Sequence, residues 1–352
     1  MRVSLSPVRK SLVSMGADTN QQLLDTGGAH VVLGQAPAED GLARPISPSA
    51  GALFGPRGAA LAWPEGPLVV CDTGHHRLLI WTKPPDVDGA SADLVIGQPD
   101  FDSEGRNAKS AVGPATLNVP TGISAKDGIL AVADAWNHRV LIWRSYPTRS
   151  NQPADVVLGQ ADFVGGLANR GADTSAADTL NWCYGVLIAD GSLYVADTGN
   201  RRVLKWNRVP DRNGAPADLV LGQHDFVTRD ENAGRAPGAV GMRWPHGICV
   251  TQNRLFVSDA GNNRIMVWGN GPAINGEPCS FVLGQDSVAG CDHNQVAYYP
   301  TSASLNMPYG LTRMGTRLVA ADTANCRLVG FDLDALDMNA PAHGVAGQRT
   351  FQ

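Results

Sequence analysis

The stretch VADTGNRRVLKW (residues 195–206) decides the fold, because its pattern recurs at a fixed interval along the chain. A short apolar run ends in Asp197, a Thr-Gly-Asn turn follows, Arg202 stands five residues after the Asp, and a second apolar run ends in Trp206. The matching acids are Asp72, Asp134, Asp197, Asp259 and Asp322, at spacings of 62, 63, 62 and 63. Arg77, Arg139, Arg202, Arg264 and Arg327 keep the same spacing, and an aromatic lies four residues beyond each: Trp81, Trp143, Trp206, Trp268 and Phe331. A second ladder closes each unit. DLVIGQ, DVVLGQ, DLVLGQ and FVLGQ end at Gln98, Gln160, Gln223 and Gln285, with HVVLGQ ending at Gln35 before them and GVAGQ ending at Gln348 after them. Self-similarity at a fixed period marks a repeat architecture and outranks any domain count based on length.

The 352 residues carry 28 Lys and Arg against 33 Asp and Glu, a formal charge of −5. Charged residues make up 17%, below the roughly 25% of an average soluble domain, while 40 Gly and 23 Pro punctuate the chain densely. That combination predicts a turn-rich, folded, all-β protein. The first twenty residues lack the apolar stretch of an export signal, and no apolar run is long enough to span a bilayer. Six scattered cysteines form no CxxC pair and no short disulfide framework. The expectation is a soluble cytoplasmic protein with no membrane association.

Within one unit four short strands are legible: GVLIAD (185–190), SLYVAD (192–197), RVLKWN (202–207) and ADLVLG (217–222), each bounded by Gly, Asn, Asp or Pro. A four-stranded antiparallel sheet cannot bury both faces alone, so successive units stack face to face and close radially into a propeller. The aromatic ladder on the third strand is expected to fill the gaps between neighbouring blades. The D-T-G-N-x-R hairpin, the P-x-G-I opening of the inner strand and the strand order resemble NHL repeats, which build β-propellers of about six blades. The resemblance covers residues 51–352, with full blades at 51–98, 118–160, 181–223, 243–285 and 306–348 joined by long upper-face loops. Residues 1–35 resemble a shortened sixth, in which Asp18 lies 17 residues before Gln35, against 26 for Asp72 and Gln98, and no Arg follows. The resulting expectation is one domain over 1–352, an all-β six-bladed propeller with a degenerate first blade.

The repeats act as an internal control: a residue present in every unit serves what every unit needs. The Asp and Arg ladders are read as ion pairs, or as acceptors of backbone N–H groups around a hairpin whose Gly and Asn supply positive φ. Asn118, Asn181 and Asn306 are read as turn-formers, and Phe101, Phe163, Phe226 and Phe351 as hydrophobic clips. Residues that break the pattern fall on the face that the resemblance makes the upper one, where long loops concentrate binding. Arg57, Thr121, Tyr184, His246 and Tyr309 precede the repeated Gly of each inner strand and are expected to ring the channel mouth. Trp136, Trp182 and Trp244 are loop tryptophans on three adjacent blades, whereas Trp63 is assigned to an inner strand. Tandem His75 and His76 read as an altered Gly-Asn pair in a solvated turn.

Two functions compete. The first is a non-enzymatic scaffold, without cofactor, that binds a protein or peptide through Arg57, Trp136, Trp182, Tyr184, Trp244, His246 and Tyr309. The alternative is a metal-dependent lyase or hydrolase at the channel mouth, as in six-bladed amidating lyases and lactonases, with a transition metal held by His76, His138, Cys183 and His246. Against it, the chain has no HExxH and lacks the Glu, Asn and Asp quartet of the lactonase-like group. No phosphate-binding loop, nucleophile elbow or dinucleotide fingerprint occurs in a suitable setting. A pI near 5.9 argues against nucleic acid, whose binding rests on neutralised phosphates.

Overall fold

The computed structural model describes residues 21–24, 27–34 and 46–352. Five blades follow one another along the chain, each a four-stranded antiparallel meander running from the inner to the outer strand. Blade 1 comprises Gly58–Leu61, Leu68–Asp72, Arg77–Trp81 and Leu94–Ile96. Blade 2 comprises Pro120–Lys126, Ile129–Asp134, Arg139–Trp143 and Val156–Leu158. Blade 3 comprises Val186–Ala189, Ser192–Asp197, Arg202–Trp206 and Leu219–Leu221. Blade 4 comprises Pro245–Thr251, Arg254–Asp259, Arg264–Trp268 and Phe281–Leu283, and blade 5 Pro308–Met314, Arg317–Asp322, Arg327–Asp332 and Gly344–Ala346. The architecture is an all-β propeller. Among the described residues no helix is long and apolar enough to cross a membrane.

The Asp and Arg ladders meet in all five blades. Asp Oδ2 lies 2.7–2.9 Å from Arg Nε, with both side chains fully buried. Asp Oδ1 accepts a backbone N–H from the segment leading into the inner strand: Phe54, Asn118, Asn181, Arg243 and Asn306, at 2.6–2.8 Å. The guanidinium then ties down both flanking loops. Arg202 donates through Nη1 to Phe226 O at 2.6 Å and through Nη2 to Ala176 O and Thr179 O at 2.9 and 3.0 Å. Both readings of the ladder therefore hold at once, and the Phe positions serve through their carbonyls as well as their rings.

Each hairpin turn differs in detail from the expectation. The left-handed residue is not the Gly or Asn but the one after it, His76, His138, Arg201, Asn263 or Cys326, with φ of 50–57°. The hairpin Asn is buried in blades 2, 3 and 4 and bonds the side-chain amide of an Asn in the long loop, as Asn200 does with Asn169 at 2.8 and 3.0 Å. In blade 1 this position is His75, which is fully buried and donates from Nδ1 to Asp72 Oδ2 at 2.7 Å. The solvated turn predicted for His75 is thus corrected: the ring replaces an amide inside the hub.

Between blades, Trp143, Trp206, Trp268 and Phe331 sit in four successive hydrophobic clusters, as the ladder predicts. The three indoles donate to the carbonyl nine residues on, at 2.9–3.0 Å. Close approach at the inner strands explains the repeated Gly. A Cβ on Gly58, Gly122, Gly185 or Gly247 would strike the carbonyl of Thr121, Tyr184, His246 or Tyr309 on the next blade. Trp63 lies in the turn after the first inner strand rather than on it, 5.7 Å from the Tyr146 ring of blade 2.

Among the described residues the blades number five, not six. Residues 1–20 and Gln35 lie outside the described residues, but the described part of the expected first blade does something else. Gln21–Gln22 pairs in parallel with Gly344–Val345 on the outer edge of blade 5. Leu23, buried, packs over Gly330 of that blade. Val32 then docks on blade 1, its N–H donating to Asp88 Oδ1 at 2.7 Å and its carbonyl accepting from Gly89 N–H at 2.8 Å, while Leu33 joins the Val70–Leu79–Trp81 cluster. The segment closes the seam at its rim instead of building a sheet. Its sequence says why: Leu23 stands five residues after Asp18, where every full unit places the Arg that pins the loops.

Two predictions follow from the hubs and seams. Arg202→Met leaves Asp197 buried without its cation and is expected to lower unfolding stability by about 3–5 kcal/mol in urea titration. Gly185→Ala pushes a methyl into the His246 carbonyl and should cost at least ~1–3 kcal/mol. Gly310→Ala should be nearly neutral, because among the described residues its Cβ would meet only Ala321, at 3.6 Å. Equal losses for the two Gly variants would contradict the five-blade arrangement.

Candidate functional site

Each inner strand opens at the upper face, so the residue before its Gly points a side chain at the channel mouth. There Arg57, Thr121, Tyr184, His246 and Tyr309 line one cavity of roughly 310 Å³. His246 stacks on Tyr309 with ring centroids 4.4 Å apart and planes 1° from parallel. Tyr184 follows at 4.7 Å from His246, and Trp182 lies edge-on to Tyr184 at 5.3 Å. The Arg57 guanidinium sits 6.0 Å from the Tyr184 ring centre. Because a carbonyl can only accept, the 2.9 Å contact between His246 Nδ1 and Trp244 O fixes the proton on Nδ1 and leaves Nε2 as an acceptor. Burial holds the His246 imidazole below its ordinary pKa, so the ring is neutral at pH 7. Burial likewise pushes the Tyr184 phenol up, opposed by Arg57.

A second, larger cavity of roughly 530 Å³ lies beside it, over the hairpins of blades 2 and 3. All three loop tryptophans line it: Trp136, Trp182 and Trp244, each about 40% exposed. Arg106 stacks on Trp136 with Cζ 4.8 Å from the ring centre, and Arg243 on Trp244 at 5.3 Å. Trp182 touches both cavities' walls, since its ring lines the larger one and meets Tyr184 of the smaller. The seven binding residues expected from sequence therefore lie around two adjoining cavities on one face. Sequence reasoning missed Arg106 and Arg201, which line the larger cavity.

The four residues of the metal alternative are not brought together. His76 Nδ1 accepts the Val119 N–H at 3.0 Å, and His138 Nδ1 accepts the Trp182 N–H at 2.9 Å, each bonding a hairpin to the next blade. Both rings thus carry their proton on Nε2. Cys183 stands where the other four blades have Pro, is fully buried, and donates its thiol to Arg139 O at 3.3 Å. Burial raises that thiol well above its ordinary pKa, so it resists becoming the thiolate a metal takes. Among the described residues no three His, Cys, Asp or Glu side chains are grouped so as to hold a metal ion.

The family model for the NHL repeat matches residues 242–268, the stretch that carries Trp244, His246 and the Asp259–Arg264 pair. One NHL repeat is thus matched, in blade 4 of the propeller. NHL repeat-containing protein 2 of Gallus gallus is 24% identical over 211 residues, 56% of this chain and 27% of that protein. The Homo sapiens protein of the same name is 24% identical over 209 residues, with the same coverage. The propeller thus spans about a quarter of the length of these curated relatives. Among solved structures, a nidogen/laminin complex chain is similar with a TM-score of 0.42 and 14% identity, covering 82% of this chain and 83% of that one. The WD40 propeller domain of Doa1 is similar with a TM-score of 0.43 and 9% identity, covering 88% and 75%.

The histidines give the propeller a defined pH response. Burial lowers the pKa of His76, His138 and His246, with Arg106 adding to the effect on His76. Between those folded values and about 6.5 the unfolded chain takes up protons that the folded chain refuses, so stability falls as pH drops through that window. His75 acts in the opposite sense. Burial opposes its proton, but the bond to Asp72 outweighs this and raises its pKa, so its contribution is full below about 6.5 and lost as pH rises through the folded value. His138→Asn keeps an acceptor, as Asn263 does for Met307, and should flatten the loss of stability between about pH 7.5 and 5.5 in denaturant titrations. An unchanged pH slope would count against the His138 to Trp182 bond.

Proposed function

We propose that this NHL-repeat propeller is a non-enzymatic scaffold that binds a protein or peptide partner through its upper face. The observation that carries the reading is the convergence of Trp136, Trp182 and Trp244, from three separate loops, on one cavity while their rings stay substantially exposed. Indoles used only for packing are sealed, as Trp143 and Trp268 are in the seams. Rigid aromatics left facing a concave surface bring large contact area at low entropic cost, the composition of a binding hot spot. The adjoining channel mouth adds the Tyr184–His246–Tyr309 stack with Arg57 beside it. A rigid ring of aromatics with a neutral imidazole and no grouped acids suits contact more than turnover. We place the protein in the cytoplasm, a reading supported by six unpaired cysteines, of which Cys326 is exposed.

The double variant Trp182→Ala, Trp244→Ala tests the scaffold. Co-purification of the wild-type partner is expected to fall at least tenfold while the melting temperature stays within a few degrees. A partner list unchanged by the double substitution would overturn the reading.

A further inference from the structure

The larger cavity departs from the repeat at one hairpin, and the departure is chemical. In blades 1, 2 and 4 the left-handed hairpin residue is an acceptor: His76, His138 and Asn263 take the N–H of Val119, Trp182 and Met307 at 2.9–3.0 Å. Blade 3 has Arg201 there, with the same backbone at φ 55°. A guanidinium carries five donors and no acceptor, so it cannot make that bond. The matching residue of blade 4, Trp244, is correspondingly released. Val119, Trp182 and Met307 are all held at positive φ, between 51 and 57°, and Trp244 is not.

Arg201 is also incompletely bonded. Its Nη1 donates to Gly199 O and Arg229 O, both at 3.2 Å, while Nε is shut away from water with no acceptor. A buried donor left unmatched is destabilising, and a ligand acceptor would relieve it. The Nε and Nη2 edge of Arg is the one that takes a carboxylate in two parallel bonds. Arg106 lines the same cavity, and neither guanidinium is ion-paired with a described residue. Among the described residues no Asp or Glu lines the cavity. On the same wall Asn118, 9% exposed, leaves its Oδ1 buried without a donor. The cavity thus offers two cations, three indoles and one unmatched amide oxygen.

We propose that this cavity recognises a peptide carboxylate next to an aromatic or bulky apolar side chain. Arg201 and Arg106 take the carboxylate, the indoles of Trp136, Trp182 and Trp244 take the side chain, and Asn118 Oδ1 takes a peptide N–H. The inference rests on the scaffold reading above and names what the partner presents. The charge pattern selects the ligand: a carboxylate gives Arg201 two parallel charge-assisted bonds, whereas a neutral peptide can offer it only the weaker bonds of uncharged carbonyls.

The test is titration of the full chain with three short peptides, followed by the tryptophan indole N–H resonances. Acetyl-Gly-Phe carries a terminal carboxylate, acetyl-Phe-Asp-amide a side-chain carboxylate, and acetyl-Gly-Phe-amide none. At least one carboxylate peptide should bind tenfold or more tighter than the neutral amide, and which one does so identifies the source of the carboxylate. The preference should shrink at high salt and vanish in Arg201→Gln. If that variant does not fold, Arg106→Gln, on an exposed side chain, should reduce the preference instead. Equal binding of all three, no binding, or a preference retained in both Arg variants would overturn the inference. The two readings separate cleanly. If Arg201→Gln keeps the partner and the Trp182, Trp244 double variant loses it, the scaffold stands and the carboxylate falls; if the double variant keeps the partner, the scaffold itself falls.

Discussion

Everything on the upper face hangs from the buried Asp–Arg pair. Each pair sits where a hairpin turns, and its remaining hydrogen-bonding capacity is directed at backbone: the Asp at the segment entering the inner strand, the Arg at carbonyls of the loops before and after the blade. A buried ion pair by itself is weak evidence of stability, because desolvation offsets most of the attraction. Its value here is geometric. With all three nitrogens of Arg202 bonded, loops of some eighteen residues are fixed at three points each, which is how tryptophans carried on loops can keep positions as defined as those on strands.

The parts of this arrangement that were legible in the sequence are those that repeat. Asp72 through Asp322 announce the hairpins, Gln35 through Gln348 the outer strands, and the residue before each inner Gly the channel mouth, because a fixed spacing converts directly into a fixed place on a blade. What was not legible depends on contacts between residues that no spacing links. The exchange of amides between Asn169 and Asn200 joins two loops about thirty residues apart, and without it His75 looks like a surface turn residue rather than a buried substitute for an amide. The blade count failed for a related reason. HVVLGQ satisfies one ladder and not the other, and only the geometry reveals that the described residues of this unit dock on the neighbouring blades, adding a two-residue edge pairing to blade 5.

The same distinction governs the candidate site. The tryptophans stand out in sequence by breaking a pattern, whereas Arg201 looks like an ordinary charged hairpin residue. Its meaning comes from the jobs of its counterparts: only after His76, His138 and Asn263 are seen to accept a neighbour's N–H does a donor at that place become a contradiction. Its consequence is spatial. The seam that lacks the bond is the one where Trp244 turns free of the backbone conformation its counterparts hold, next to the indoles of the two preceding blades.

The rim closure between blades 5 and 1 sets how the molecule comes apart. Four seams are sheet against sheet and locked by an aromatic, while among the described residues the fifth is bridged by one two-residue parallel pairing, a few backbone bonds and the packing of Leu23 and Leu33. A ring with one weak joint behaves thermodynamically as a line with two ends. Opening therefore begins at blades 1 and 5 and advances inward, so amide protection forms a gradient that is highest in blade 3. Blade 3 and its immediate neighbours carry the tryptophan cavity. The tryptophan cavity is thus held by the part of the protein that is last to lose its structure.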